Sequence, residues 1–423
     1  MHPFASYVLR SYYKATGWNE DNLYANLTRS SNAILDFTVP KGLHLSISKS
    51  PNSLFRTTYS MTAMPSLNGS VGYIFTSCDL DVKGSGNVQF KDMIERFKVY
   101  DQPRKPEGKD ENWLAGERVD TRDYLLYGRL YLPSGRLDAL YSTRISPTMQ
   151  ALVAAVSHPS SNLPGRGGDL SNVMFNLQHD VGKWCTEYSY SAEDGMWGFR
   201  VLHNFGRLGL PVDVTDDSSP VSTRTGGESS YFFILARPLK YPFTGSIGLR
   251  FTTLPDATPP SFQVPFPSSS LYSAKGQPSQ PPTTITALFN PILGHMSGTY
   301  SAQVSRDLCL SSRFDFNVYS FESEWTMGAE WWIRRSPSVD ADVDHNTSAD
   351  SLSLKKPGST GTDFKDEVHG VVKARASTNN DISLMWEGRL RNMLVSLGIV
   401  SDFSSRSKPI KAIGLELSYF SSS

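Results

Sequence analysis

The residues able to do chemistry are few and poorly placed for it. Three cysteines, Cys78, Cys185 and Cys309, lie far apart in 423 residues. That spacing gives neither a disulfide framework nor a zinc site. The eight histidines are scattered. His44, His203 and His295 have no partner recurring at ligand spacing, so each reads as a packed or lumenal side chain. HNF at 203–205 lacks a nearby Ser or Cys to complete a triad. Glu322 and Glu324 lie two apart, close enough to raise one pKa, yet a wet lumenal wall accounts for them better. HExxH, GxSxG, P-loop and GxGxxG patterns are absent. The expectation is a protein that is not an enzyme and has no metal or cofactor. Lys plus Arg and Asp plus Glu both number 41. A chain with no net charge lacks the basic surface of a general nucleic-acid binder.

The elements that must position any site alternate at period two. GLHLSIS sets Leu43, Leu45 and Ile47 against His44, Ser46 and Ser48. HMSGTYSAQVS, LCLSSRFDFNV, FESEWTMGAEWW and KAIGLELSYF repeat the pattern, so strands dominate. Convincing helical periodicity is missing; SYVLRSYY near the start and KDMIERFK at 91–98 are the only short candidates. No stretch approaches the 18 apolar residues of a membrane helix, and the N-terminus lacks a secretory h-region. A membrane strand needs only about 9–11 residues and half of them are polar. The mean hydropathy of −0.32 therefore suits a barrel as well as a soluble protein.

A soluble sandwich would alternate too. Two features favour a transmembrane β-barrel. The alternating segments often reach about ten residues, beyond the usual strand of about five or six. The chain also finishes inside a strand, which suits a sheet that must close because lipid forbids an unpaired edge. Aromatics near strand ends, among them Trp184, Tyr188, Trp197, Trp325, Trp331, Trp332, Tyr419 and Phe420, read as interfacial girdles. Residues 1–30 form an N-terminal segment, read as helical and inside the barrel. Residues 31–423 form the barrel, with long polar loops near 78–120, 206–230, 254–282 and 336–366.

At YVLRSYYKATGW, ILDFTVPKGLHLSIS, LLYGRLYLPSGRLDALYSTRISP, FNPILGHMSGTYSAQVS and RFDFNVYSFESEWTMGAEWW, the chain resembles the fungal mitochondrial distribution and morphology protein 10 family. The resemblance covers nearly the whole chain. It implies an all-β, porin-like barrel of 19 strands, integral to the mitochondrial outer membrane. It implies membership of the sorting and assembly machinery (SAM), which inserts β-barrel precursors and helps mature the TOM translocase. It also implies membership of the ER–mitochondria encounter structure (ERMES), a tether that supports lipid exchange. The partners so implied are the barrel insertase, TOM precursors, tether proteins and membrane lipids, with no nucleic acid. Relatives carry a C-terminal sorting signal, polar–x–Gly–x–x–hydrophobic–x–hydrophobic; Gly414, Leu417 and Tyr419 match it, while the polar position falls on Ala412. Tyr73 and Phe75 match an aromatic pair tied to the SAM role, and Phe314 an aromatic tied to the tether role. The alternative function is a porin-like metabolite channel.

Overall fold

The computed structural model describes residues 3–80, 82–98, 106, 113–114, 117–118, 123–159, 171–205, 227–238, 245–253, 281–334, 368–379, 381–402 and 409–422. The chain opens with helix α1 (Pro3–Thr16), a 3-10 turn (Tyr24–Asn26) and helix α2 (Arg29–Leu35). Strands β1 (Gly42–Ser50), β2 (Phe55–Thr62) and β3 (Asn68–Thr76) follow, then the single turn α3 (Phe90–Met93). A two-stranded ribbon comes next, β4 (Trp113–Leu114) with β5 (Glu117–Arg118). Then come β6 (Tyr124–Leu132), β7 (Leu137–Ser146), β8 (Met149–Ser157), β9 (Ser171–Asp180), β10 (Trp184–Ser191), β11 (Met196–Phe205), β12 (Gly227–Pro238) and β13 (Ile247–Thr253). The series ends with β14 (Thr283–Asn290), β15 (His295–Gln303), β16 (Leu308–Asn317), β17 (Ser323–Arg334), β18 (Val368–Ser377), β19 (Asp381–Leu390), β20 (Met393–Asp402) and β21 (Ile410–Ser422).

All but β4 and β5 belong to one 19-stranded sheet, in which each strand has two partners. Consecutive strands pair antiparallel. The exception is β1 with β21, which pair in parallel from Gly42↔Gly414 to Ser50↔Ser422. An odd number of alternating strands leaves the first and last pointing the same way, so a parallel seam is the only way to join them. The ring of pairings is a β-barrel without an exposed edge. No helix of the described residues is long and apolar enough to cross a membrane, which is silent about crossing by strands.

The near rim is where β1 and β21 begin, and the far rim is where they end. Strand direction then places the C-terminal ends of β3, β11, β13 and β17, which precede the four longest connections, at the far rim. The loops read from sequence near 206–230, 254–282 and 336–366 lie outside the described residues, except that 227–230 belong to β12 and 281–282 lead into β14.

Alternation assigns the faces. Trp331 is 59% exposed and Trp332 7%; Tyr419 is 39% exposed and Phe420 2%. Trp332 and Phe420 are therefore not girdle residues, as the sequence suggested, because period two turns one of each adjacent pair inward. Trp184, Tyr188, Trp197, Trp325 and Trp331 do lie on the outer face. Two further corrections concern local structure. KDMIERFK is helical only through Met93. The stretches 78–80 and 82–98, read as part of a solvated loop, pack inside the barrel: Leu80, Val82, Val88, Phe90, Met93 and Ile94 join Phe4, Val8 and Tyr12 of α1 in one buried cluster with inward-facing Ile74, Leu125, Val371 and Phe420.

Candidate functional site

The seam is the first region of interest, because the sorting-signal residues fall on it. Gly414 faces inward, paired with Gly42 on one side and Gly398 on the other. This row of three glycines has a visible cause. The segment Val39–Pro40–Lys41 crosses from the lumen into the wall directly over it. A methyl group on Gly414 would overlap the Pro40 carbonyl and lie 2.8 Å from the Lys41 nitrogen; one on Gly398 would strike the Val39 side chain. Gly42 turns the chain into β1 with φ +82°, a conformation that suits glycine. Leu417 and Tyr419 face outward opposite Leu45 and Ile47 of β1. Ala412, at the polar position of the signal, faces inward opposite Val400.

The lumen is the second region. Inward-facing charges of the wall hold the backbone of the N-terminal segment and of 78–80 and 82–98. Arg56 Nη2 donates to the Leu80 carbonyl at 3.0 Å. Arg389 donates to the carbonyls of Gly86, at 3.2 Å, and Val88. Lys373 Nζ donates to the Glu95 carbonyl. Glu330, fully buried, accepts from the Phe97 amide at 3.2 Å and from Trp332 Nε1 at 2.8 Å. Arg375 donates to the Leu35 carbonyl at 2.9 Å, and Arg313 forks onto Asp36 at 2.7 and 3.0 Å. Asn22 Nδ2 reaches buried Asp180 at 2.7 Å, while Asn204 Nδ2 reaches Asn22 at 2.6 Å. These bonds are charge-assisted or buried, the strong class. The wall charges read from sequence as wet lining are thus in large part a clamp. Adjacent inward aromatics were the sequence signal for a filled lumen: Trp332 meets Phe90 edge-on at 6.4 Å, and Phe420 meets Phe4 at 5.0 Å.

Other sequence candidates separate. Glu322 lies in the turn before β17, bonded by Ser320, and Glu324 bonds Ser377, so they form no carboxylate pair with a shared site. His203 packs outside between Trp184 and Phe205, at 4.0 and 4.2 Å between ring centroids. His44 bonds the Lys41 carbonyl and Thr62 near the seam. Among the described residues no group of three or more His, Cys, Asp or Glu is arranged to hold a metal.

The outer aromatics are the third region. Tyr73 is exposed and lies flat across Gly128 of β6, where a Cβ would come within 2.8 Å of its ring. Phe75, on the same face, lies opposite Phe55 and 6.1 Å from the Tyr124 ring, which continues to Tyr141 at 6.4 Å. Phe314 sits on the other side of the barrel, exposed opposite Gly298 and Trp325 and stacked on Phe316 at 6.5 Å. The two clusters are therefore separate surfaces, many strands apart.

Comparison with known proteins matches this architecture. The family model described as Mitochondrial distribution and morphology protein 10 matches residues 1–360 and 345–422. A protein of that name from Laccaria bicolor is 70% identical over the full length of both chains, and one from Postia placenta 66% over the same extent. The namesake from Cryptococcus neoformans is 38% identical over 99% of each chain. The chain belongs to the mitochondrial distribution and morphology protein 10 family.

Proposed function

We propose that this mitochondrial family member is a barrel of the outer membrane that works by contact and not by catalysis, as a subunit shared by SAM and ERMES. In that reading the cluster around Tyr73 and Phe75 meets the insertase side, where barrel precursors are inserted and TOM matures. The cluster around Phe314 meets the tether side, which supports lipid exchange. The observation that carries the reading is the combination of an apolar outer face with a lumen bonded to the chain's own N-terminal third. An apolar, aromatic-rimmed exterior is what lipid requires. A lumen occupied in large part by the chain's own residues makes the surface the place for protein partners to meet.

Affinity purification of the full chain in mild detergent is the test. Both the barrel insertase and tether proteins should co-purify; recovery of neither defeats the proposal. Tyr73→Ala with Phe75→Ala should lower insertase recovery several-fold and spare the tether, whereas Phe314→Ala should do the reverse, since truncating an anchoring aromatic commonly costs about 2 kcal/mol or more. Equal loss of both partners in both variants would sink the division of surfaces.

The channel reading makes a different demand, an open lumen. In planar bilayers the full chain is expected to show no large, stable conductance. Replacing Arg389 and Arg375 by Ala, which removes carbonyl clamps, should produce frequent openings. A steady porin-like conductance from the unaltered chain would favour the channel.

A further inference from the structure

A cavity of about 790 Å³ lies between α1, α2 and the stretches 79–80 and 82–98. That volume is within the usual range for small-molecule sites, roughly 300–1,000 Å³. Its lining is charged, and the charges do not cancel locally. Arg29 is drawn to Glu20 at 3.1 Å and Lys98 to Asp21 at 2.5 Å. Asp79 faces Arg56. Asp92 and Glu95 also line the cavity, but both are exposed to solvent. Apart from Arg96, whose charge acts on Glu330, four cations remain: Arg10, Lys14, Lys83 and Lys91. None of the four forms an ion pair among the described residues. Arg10 and Lys14 lie four apart on α1, so they share one helix face. Arg10 uses only Nε, in a 3.4 Å bond to the Ser6 carbonyl. Its terminal nitrogens are available for a two-pronged bond to an anion. Lys91 stands over the Trp332 ring, 5.8 Å from its centroid, which holds the ammonium in place without neutralising it.

We propose that this lumenal cavity binds a phosphate ester, with Arg10 as the two-pronged contact and Lys14, Lys83 and Lys91 as the surrounding charges. Phosphate fits the set better than a carboxylate. It carries up to two negative charges and three acceptor oxygens, and so matches one guanidinium fork plus several point charges. Burial lowers the pKa of the Arg10 guanidinium, with Arg29 adding to the effect. Burial also lowers that of the Lys91 ammonium, with Arg334 and Arg96 adding to it. Glu20, Glu95 and Asp92 offset part of this at Arg10; the repulsion left, from Arg29 on Arg10 and from Arg334 and Arg96 on Lys91, is what an arriving anion relieves. Two sources share this chemistry, a soluble nucleotide and a lipid headgroup.

Calorimetric titration of the detergent-purified full chain with inorganic tripolyphosphate reads the shared chemistry. One saturable site is expected at low ionic strength, weakened by added salt. Lys83→Gln with Lys91→Gln should weaken it at least tenfold. Lys41→Gln with Lys411→Gln removes the same charge outside the cavity and should leave it unchanged. Heat-modified gel mobility verifies that each variant is folded. Competition then separates the sources: displacement by adenosine triphosphate assigns a nucleotide, and displacement by dihexanoyl phosphatidic acid assigns a lipid headgroup. The proposal is overturned if tripolyphosphate does not saturate, if both double variants lose equally, or if neither ester competes.

Discussion

Gly414→Ala is expected to arrest assembly of the barrel, although it adds one methyl group to a strand whose sequence pattern tolerates Ala at position 412. The added carbon would occupy the place of the Pro40 carbonyl and press on the Lys41 nitrogen. Both obstacles are backbone, so neither can rotate aside. Overpacking of this kind costs about 1–3 kcal/mol even where side chains can yield. Relief here requires moving the crossing segment away from the seam or separating β21 from β1. Import into isolated mitochondria should therefore give a late, protease-sensitive intermediate and at least a tenfold drop in the folded, heat-modifiable form. The matched control is Gly298→Ala, where a Cβ would meet nothing within 4 Å and β15 keeps both of its partners. That variant should assemble normally. Equal behaviour of the two would show that the crossing does not constrain Gly414.

The second large effect belongs to Lys373. It is 2% exposed and lies between two inward carboxylates. Glu330 is its direct cross-strand neighbour, and Glu387 Oε2 is 4.0 Å from its ammonium. The same ammonium also holds the Glu95 carbonyl. Lys373→Met conserves length and removes the charge, leaving Glu330 with only the Phe97 amide and Trp332 Nε1, and Glu387 with only the Ser396 hydroxyl, as bonded partners. Breaking a buried pair by deleting one partner typically costs about 3–5 kcal/mol. The variant should unfold at markedly lower temperature in detergent and release the 94–98 segment to protease. Adding Glu330→Gln should recover part of the loss, since one of the stranded charges is gone; non-additivity of that size is the signature of direct coupling. An unchanged midpoint for Lys373→Met would mean that water and not Lys373 compensates the carboxylates.

Much of the wall was legible because strand alternation is a local property. HMSGTYSAQVS and LCLSSRFDFNV start where β15 and β16 start and overrun their ends by two residues and one. Leu43, Leu45 and Ile47 fall on the outer face opposite the outward residues of β21, as their period requires. The lumen was not legible in the same way. Arg375 bonds a carbonyl 340 residues away and Arg389 one 303 residues away. A carbonyl acceptor carries no residue identity, so no motif announces such a bond. Charge on an inward face reads alike whether it meets water or backbone. The pairs Trp331–Trp332 and Tyr419–Phe420 were the available hint. Two adjacent aromatics in a strand cannot both face lipid, and an aromatic facing inward requires an apolar neighbour there. KDMIERFK misled for a related reason. Its apolar residues do bury, but against α1 and the wall from an extended backbone, so tertiary contact and not helical period set their spacing.

The contact of Phe4 with Phe420 bears on timing. Phe4 is among the earliest described residues to be synthesised, and its landing surface includes a ring near the end of the last strand. That strand must itself be zipped to β1 before the ring points into a lumen at all. The first helix can meet Ile74, Leu125 and the 82–94 residues earlier, but its seat stays incomplete until that strand is in place. Full burial of Phe4 can therefore serve as a completion mark, because a chain that stalls short of its final strand lacks the Phe420 side of the pocket. An exposed Phe4 would then distinguish an unfinished barrel from a finished one.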